Sequence, residues 1–194
     1  MSDVDRAARA LEAGDLVVYP TETVYGLGAD ATDPAAVGRA FEAKGRSRGK
    51  SVSLGAPDIA AAREYTRPTD RELAFMREFL PGPVTVVIER REMVPDVLTA
   101  GRDRVGVRVP DHDLALDLYR AADVPVTATS ANLSGTGSVR RVDALSDAVR
   151  DEVAAVLDGG ETPGGDSTVV DVSAGTIHRL GPEADAIDSW LDDH

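Results

Sequence analysis

A chain of 194 residues, 42% hydrophobic and without cysteine, reads as one globular domain over residues 1–194, which excludes disordered and disulfide-stapled classes, thiolate zinc sites and a cysteine nucleophile. Its net charge of −13, with arginine outnumbering lysine 19 to 2 and aromatics at 4%, argues against a broad nucleic-acid surface and matches a halophilic composition, that of a protein in a salt-rich cytoplasm. Met1–Arg6 is acidic and lacks the apolar core of a signal peptide, and no apolar run approaches the roughly 20 residues of a membrane helix, so neither secretion nor a membrane is expected.

Apolar residues at helical spacing (Val4, Ala7, Ala8, Leu11) predict a helix over 3–13, stopped by Gly14. Leu16-Val17-Val18-Tyr19 predicts a buried strand ended by Pro20, and the hydroxyls and glycines of 20–28 predict a site loop or a plain turn directly after it. Asp33-Pro34 predicts a capped helix running to about Ala43. A short strand is expected at 52–54 and a short helix at 57–65. Thr69-x-x-Glu72 is a capping box opening a helix to about Leu80, broken by Pro81-Gly82-Pro83.

Strands are expected at 84–88 and 105–109, joined by a charged connection over 89–103. Arg108 lies inside the second, where it either faces solvent or enters a cleft to grip a carboxylate. Beyond it come a helix at 111–122, a strand at 124–128, and a dense run of hydroxyls and amides over 129–138. The last third predicts a helix at 142–150, strands at 153–157, 167–172 and 176–180, a glycine-rich stretch at 159–166 and a helix at 183–191. Strands and helices interleave, but several strand pairs lack a helix between them. The expected class is therefore α/β with an α+β-like character, a three-layer sheet of mixed direction.

The chain's only two lysines lie in Lys44-Gly45-Arg46-Ser47-Arg48-Gly49-Lys50, where four cations alternate with no acid between them. In so acidic a chain this island reads as an anion site, most naturally for phosphate, against the plainer reading of a solvated loop. The segment is no P-loop: three residues separate its glycines where four are needed, and it follows a helix instead of a strand. Gly26-x-Gly28-x-x-Ala31 imitates a dinucleotide fingerprint but stands too far beyond the strand. Because the island begins at a helix C-terminus, the helix dipole cannot help, and side chains must hold the anion.

Three stretches in order, Pro20-Thr21-Glu22-Thr23-Val24-Tyr25-Gly26-Leu27, Lys44-Gly45-Arg46 and Ser130-Ala131-Asn132-Leu133-Ser134-Gly135, together resemble the signature of the YrdC-like threonylcarbamoyl-adenylate synthases. Residues 105–110 and 167–171 also match, so the likeness covers almost the whole chain. It implies a twisted fold around a concave, positively lined cavity. It also implies a reaction in which L-threonine, bicarbonate (or CO2) and ATP give threonylcarbamoyl-AMP and pyrophosphate, after which a threonylcarbamoyl-transferase partner modifies adenosine in tRNA. By the same resemblance Lys44, Arg46, Ser130 and Asn132 form the catalytic set. Lys44, Arg46, Lys50, Ser130, Asn132, Ser138 and Arg179 contact ATP, and Thr23, Arg108 and Ser167 hold L-threonine. Mg2+ arrives with ATP, with no dedicated protein site expected.

Ser47 stands where the family often has proline, and Gly55 near where longer members commonly place a histidine touching threonine. Arg104 replaces a small hydroxyl residue, and the extra C-terminal domain of longer members is not expected here. The alternatives are a related carbamoyl-transfer module, as in hydrogenase maturation, and a non-catalytic module for nucleotide or double-stranded RNA. A hydrolase is disfavoured, since His112, His178 and His194 are scattered and no serine sits in a nucleophile elbow.

Overall fold

In the computed structural model, which describes residues 1–194, Ser2 opens the first helix, Asp3–Glu12 (α1). The Ser2 hydroxyl accepts from the Asp5 N–H while the Asp5 carboxylate accepts from the Ser2 N–H, a reciprocal cap. The first strand, Leu16–Tyr19 (β1), is buried at every position. Leu16 and Val18 enter one apolar cluster, with Ala36 and Ala40. Val17 and Tyr19 enter another, with Leu11 and Leu118. A strand whose alternate side chains feed different cores is covered on both faces, so the expected third layer is present.

The loop expected over 20–28 ends earlier, because Gly26–Gly28 forms a second strand (β2) antiparallel to β1 with Val18 opposite Leu27. Its glycines hid it from a propensity reading, but they are required by contact. A Cβ on Gly26 would lie 2.7 Å from the Tyr19 ring.

Asp33 caps the helix Pro34–Ala43 (α2) by accepting from the Ala35 N–H at 2.8 Å. Next come Ser53–Gly55 (β3), Ile59–Tyr65 (α3) and Asp70–Phe79 (α4), the last opened by the Thr69/Glu72 capping box. Val84–Glu89 (β4) and Arg104–Arg108 (β5) flank the charged connection, which contains a single helical turn, Asp96–Thr99 (α5). Asp113–Ala121 (α6) packs on α1 and leads to Val126–Ser130 (β6).

The helix expected over 142–150 is instead a 3-10 turn, Val142–Ala144, and a separate short helix, Asp147–Arg150 (α7). Leu145 is extended between them, and the Ser146 hydroxyl accepts from the Val149 N–H, starting a new helix where the periodic pattern suggested one continuous element. Val153–Val156 (β7), Thr168–Asp171 (β8), Thr176–Arg179 (β9) and Ala184–Asp193 (α8) complete the chain.

All nine strands join one sheet in the order β7-β1-β2-β6-β3-β5-β4-β8-β9. The pairs β1–β7, β3–β5 and β4–β8 are parallel and the others antiparallel, so the sheet is mixed. The largest apolar cluster, of 22 buried residues, packs α3, α4 and α8 against β3, β4, β5 and β8. No helix is long and apolar enough to cross a membrane.

A carboxylate is sealed within this frame. The Glu72 side chain is 1% exposed, accepting from Arg104 and from the Ser173 hydroxyl at 2.7 Å each and from the Thr69 N–H at 2.8 Å. Burial by itself raises the Glu72 carboxyl, but its bonds to Thr69, Ser173 and Arg104 outweigh that and hold it below the usual range. Its contribution to stability is present above the ordinary carboxylate pKa and is lost as acidification protonates the group in the folded state. Glu72→Ala is expected to destabilise the fold by about 3 kcal/mol, read as a lower urea midpoint at neutral pH, because Arg104 and the Thr69 N–H lose their partner. An unchanged midpoint would count against the network.

Candidate functional site

A cavity of about 260 Å³ opens over the middle of the sheet, walled by the ends of strands that are distant in the chain. Arg46 enters from the basic island, Arg108 from the end of β5 and Arg179 from the end of β9. Against these three arginines stands one lining carboxylate, Asp166. In a chain where acids outnumber bases 34 to 21, that local inversion marks the cavity as an anion site. The expected concave basic cavity is therefore present, and Arg108 takes the cleft-facing of its two possible orientations.

Its cations fall into two groups. In the first, Arg46 donates to the Ser51 carbonyl at 2.8 Å, lies over the Phe41 ring, and keeps a buried Nε–H without a partner. Arg179 donates to the Ser167 carbonyl at 2.9 Å and to its hydroxyl at 2.8 Å, and that hydroxyl in turn meets the Thr85 hydroxyl at 2.8 Å. Burial and then the like charge of Arg179 press the Arg46 guanidinium below its ordinary value. Two crowded arginines and an unmet donor are the electrostatic conditions under which a bound anion stabilises the site.

Lys44 belongs to this group but sits behind the wall. It is 2% exposed, and its ammonium donates to the Ser130 carbonyl, to the Asn132 carbonyl at 2.8 Å and to the Ser130 hydroxyl at 3.4 Å. With the Ser134 N–H bonded to its own carbonyl at 2.8 Å, Lys44 staples the end of α2 to the loop after β6. Burial, then repulsion from Arg46, pushes its pKa down to about 8.

The second group is centred on Arg108, which donates to the Glu22 carboxylate and to the Thr23 hydroxyl at 3.4 Å. Thr21 spends its proton on the Val24 carbonyl at 2.7 Å, so Thr23 donates to the Thr21 oxygen at 2.9 Å and its own oxygen is left to receive Arg108. Glu22 keeps one buried oxygen unpartnered, and so does the Arg108 Nε–H.

Of the residues expected from sequence, Thr23, Arg46, Arg108, Ser130, Ser167 and Arg179 line one hollow. Asn132 does not: its amide donates to the Leu133 and Thr136 carbonyls at 2.8 and 2.9 Å, shaping the loop beyond Ser130. Lys50 and Ser138 are exposed and are not brought into the cavity. Arg104 pairs with Glu72 and Asp171 outside the cavity lining. Ser47 accepts from the Gly49 N–H, closing the turn of the basic island.

Sequence reasoning missed three participants, Glu22, Tyr19 and Tyr119. Glu22 was visible as a carboxylate inside a run of hydroxyls and apolar residues. Tyr119 follows Leu118 on the buried face of α6, where an aromatic side chain reads as core. The room that a side chain at position 55 would take is filled by Tyr119, whose hydroxyl would lie 2.4 Å from a Cβ there.

A mixed sheet that gathers three arginines around a hollow over its centre defines an α/β protein with a concave, side-chain-lined basic cavity. The chain belongs to the Sua5/YciO/YrdC family, whose sequence model, described as telomere recombination, matches residues 9–181. The threonylcarbamoyl-AMP synthase of Pyrococcus abyssi is 39% identical over 169 residues, which take in 86% of this chain and 50% of that protein. The protein of the same name from Vibrio parahaemolyticus is 32% identical over 190 residues, 93% of this chain and 100% of that protein. The crystal structure of P. abyssi Sua5 complexed with L-threonine matches with a TM-score of 0.85 at 36% identity, over 93% of this chain and 55% of that one. The chain thus spans about half the length of its Pyrococcus relative.

Proposed function

We propose that this chain is an L-threonylcarbamoyladenylate synthase, converting L-threonine, bicarbonate (or CO2) and ATP into threonylcarbamoyl-AMP and pyrophosphate. The observation that carries this reading is the pairing of two cation groups in one hollow, one suited to a polyphosphate and one to a carboxylate. The names of the Pyrococcus and Vibrio relatives and the L-threonine complex of P. abyssi Sua5 support it.

In this reading Arg46 and Arg179 neutralise the triphosphate, helped by the charge of Lys44 behind them, and Ser130 and the loop shaped by Asn132 carry the nucleotide. Lys50 and Ser138, outside the cavity, are left to the part of the nucleotide that projects from it. Arg108 and Thr23 take the amino-acid carboxylate, with Ser167 between the two groups. The threonine ammonium loses one proton to become nucleophilic and a second, to solvent, as its nitrogen bonds to CO2 to give a carbamate; where bicarbonate is the source it first releases hydroxide, which takes up one of these protons as water. A carbamate oxygen then bonds to the α-phosphorus as its bond to the bridging oxygen breaks, and pyrophosphate leaves with that electron pair. No histidine lines the cavity, so positioning and charge stabilisation supply the rate.

In this reading Mg2+ arrives with the ATP phosphates. The ion supplies further charge neutralisation when bound. The product is a mixed anhydride that hydrolyses readily, so a threonylcarbamoyl-transferase acting on tRNA is the proposed consumer, in the cytoplasm.

Pyrophosphate release from ATP tests this reading. Release is expected to require both L-threonine and bicarbonate. Release indifferent to threonine would assign another acceptor, and binding of double-stranded RNA without turnover would replace the enzyme with a binding module.

A further inference from the structure

The cavity floor contains two tyrosines whose protons can be counted. The Tyr19 hydroxyl donates to the Thr127 carbonyl at 2.9 Å, an acceptor that cannot reciprocate. Tyr19 has one proton, so in the 2.7 Å contact between the Tyr19 and Tyr119 hydroxyls the donor is Tyr119. Tyr119 thereby spends its own proton inside the floor. What its oxygen offers to the cavity it lines is an acceptor and nothing else.

This polarity is held by packing. The two rings meet edge-on with centroids 5.5 Å apart, and glycines cover them: Gly26 leaves the room that the Tyr19 ring fills, and Gly55 the room that the Tyr119 hydroxyl fills. Both residues are buried. Burial raises the Tyr19 hydroxyl to about 12 and the Tyr119 hydroxyl well above its ordinary value, so both keep their protons at neutral pH. Gly55, against which the Tyr119 hydroxyl lies, pairs with Arg108 in the sheet, and Tyr19, Tyr119, Thr23 and Arg108 line the same hollow, which puts the tyrosine pair at the amino-acid end of the cavity.

We propose that Tyr119 is a specificity-determining residue for the amino acid, its hydroxyl oxygen accepting a hydrogen bond from a side-chain β-hydroxyl. This rests on the synthase reading. There the α-carbon carries three groups to be placed. The carboxylate goes to Arg108 and Thr23, and the amine must face the phosphates because its carbamate attacks them. The side chain is left with the floor, where an acceptor rewards a β-hydroxyl and an alkyl side chain leaves it unmet. A buried polar atom left unmet discriminates against the analogue that lacks the donor.

The test removes the hydroxyl from either side of the contact. L-threonine and L-2-aminobutyrate, which lacks the β-hydroxyl, are compared as substrates for the wild-type chain and for Tyr119→Phe. Tyr119→Phe leaves the Tyr19–Thr127 bond intact, and its melting curve checks the fold. The wild type is expected to prefer threonine, and Tyr119→Phe to shrink that preference by about threefold to tenfold, through KM with kcat retained. Undiminished preference in a folded Tyr119→Phe overturns the assignment and leaves the synthase reading standing. A wild-type chain with no threonine-dependent pyrophosphate release overturns both. Equal losses for the two amino acids would make Tyr119 a packing residue and also overturn the proposal.

Discussion

Arg46→Ala is expected to lower threonine-dependent pyrophosphate release by about 10³-fold, because a fixed cation beside a transferring phosphoryl group contributes on that scale. Arg46 is the cleaner of the two island residues to remove. Lys44→Ala would also abolish release, but it would strip three acceptors of their donor and loosen the loop after β6. The same variant carries a pH signature. Lys44 has a pKa of about 8, so in the wild type its charge, and with it ATP affinity, declines as pH rises through that value.

Removing Arg46 deletes the like charge and leaves burial alone to depress Lys44, so the decline moves to higher pH. Stability follows the opposite course. Between about 8 and the ordinary 10.5 the unfolded chain holds a proton on Lys44 that the folded chain has released. Stability from this group therefore rises with pH across that window, and Lys44 is a cost at neutral pH. Calorimetric ATP titrations at pH 7 and 9 on both proteins check the shift. An identical pH dependence would remove Lys44 from the nucleotide site.

Arg108→Ala is expected to lower kcat/KM for L-threonine by about 10²- to 10³-fold, the scale of a charge pair largely withdrawn from water losing one partner, with ATP affinity nearly unchanged. Part of any loss comes from Glu22, which the substitution leaves part-buried without its cation. The double variant Arg108→Ala/Glu22→Gln separates the two effects. It is expected to recover thermal stability without recovering threonine turnover. If the double variant regains turnover, Arg108 serves to neutralise Glu22 and does not bind the carboxylate.

Both predictions concern residues that were visible in the sequence for different reasons. Arg46 stood out because its island holds the only lysines of an acidic chain, a contrast of composition. Arg108 stood out as a charge in an apolar strand, and sequence left its direction open. In the structure it points inward because Glu22 and Thr23, brought across from the turn between β1 and β2, wait on that side. Glu22 escaped notice because its role is to hold another residue, and the Tyr19–Tyr119 pair because burial makes a tyrosine look like core. Lys50 and Ser138 were assigned to ATP by the family resemblance, which does not say which side of the cavity wall each occupies. The turn of 47–50 and the loop of 132–138 carry both to the exposed surface.

Local chemistry was legible because it depends on neighbours in the chain. Asp33 and Thr69 cap the helices they announce, and the apolar run of β1 is a strand covered on both faces. The ordered motifs carried the family for the same reason. The sheet order, with β2 and β3 both flanking β6, could not be read in this way. Nor could the meeting of Thr23, Arg46, Arg108, Ser167 and Arg179 around one hollow. These are contacts between strand ends scores of residues apart, chosen by which apolar faces bury one another, and only the folded chain brings their charges close enough to act together.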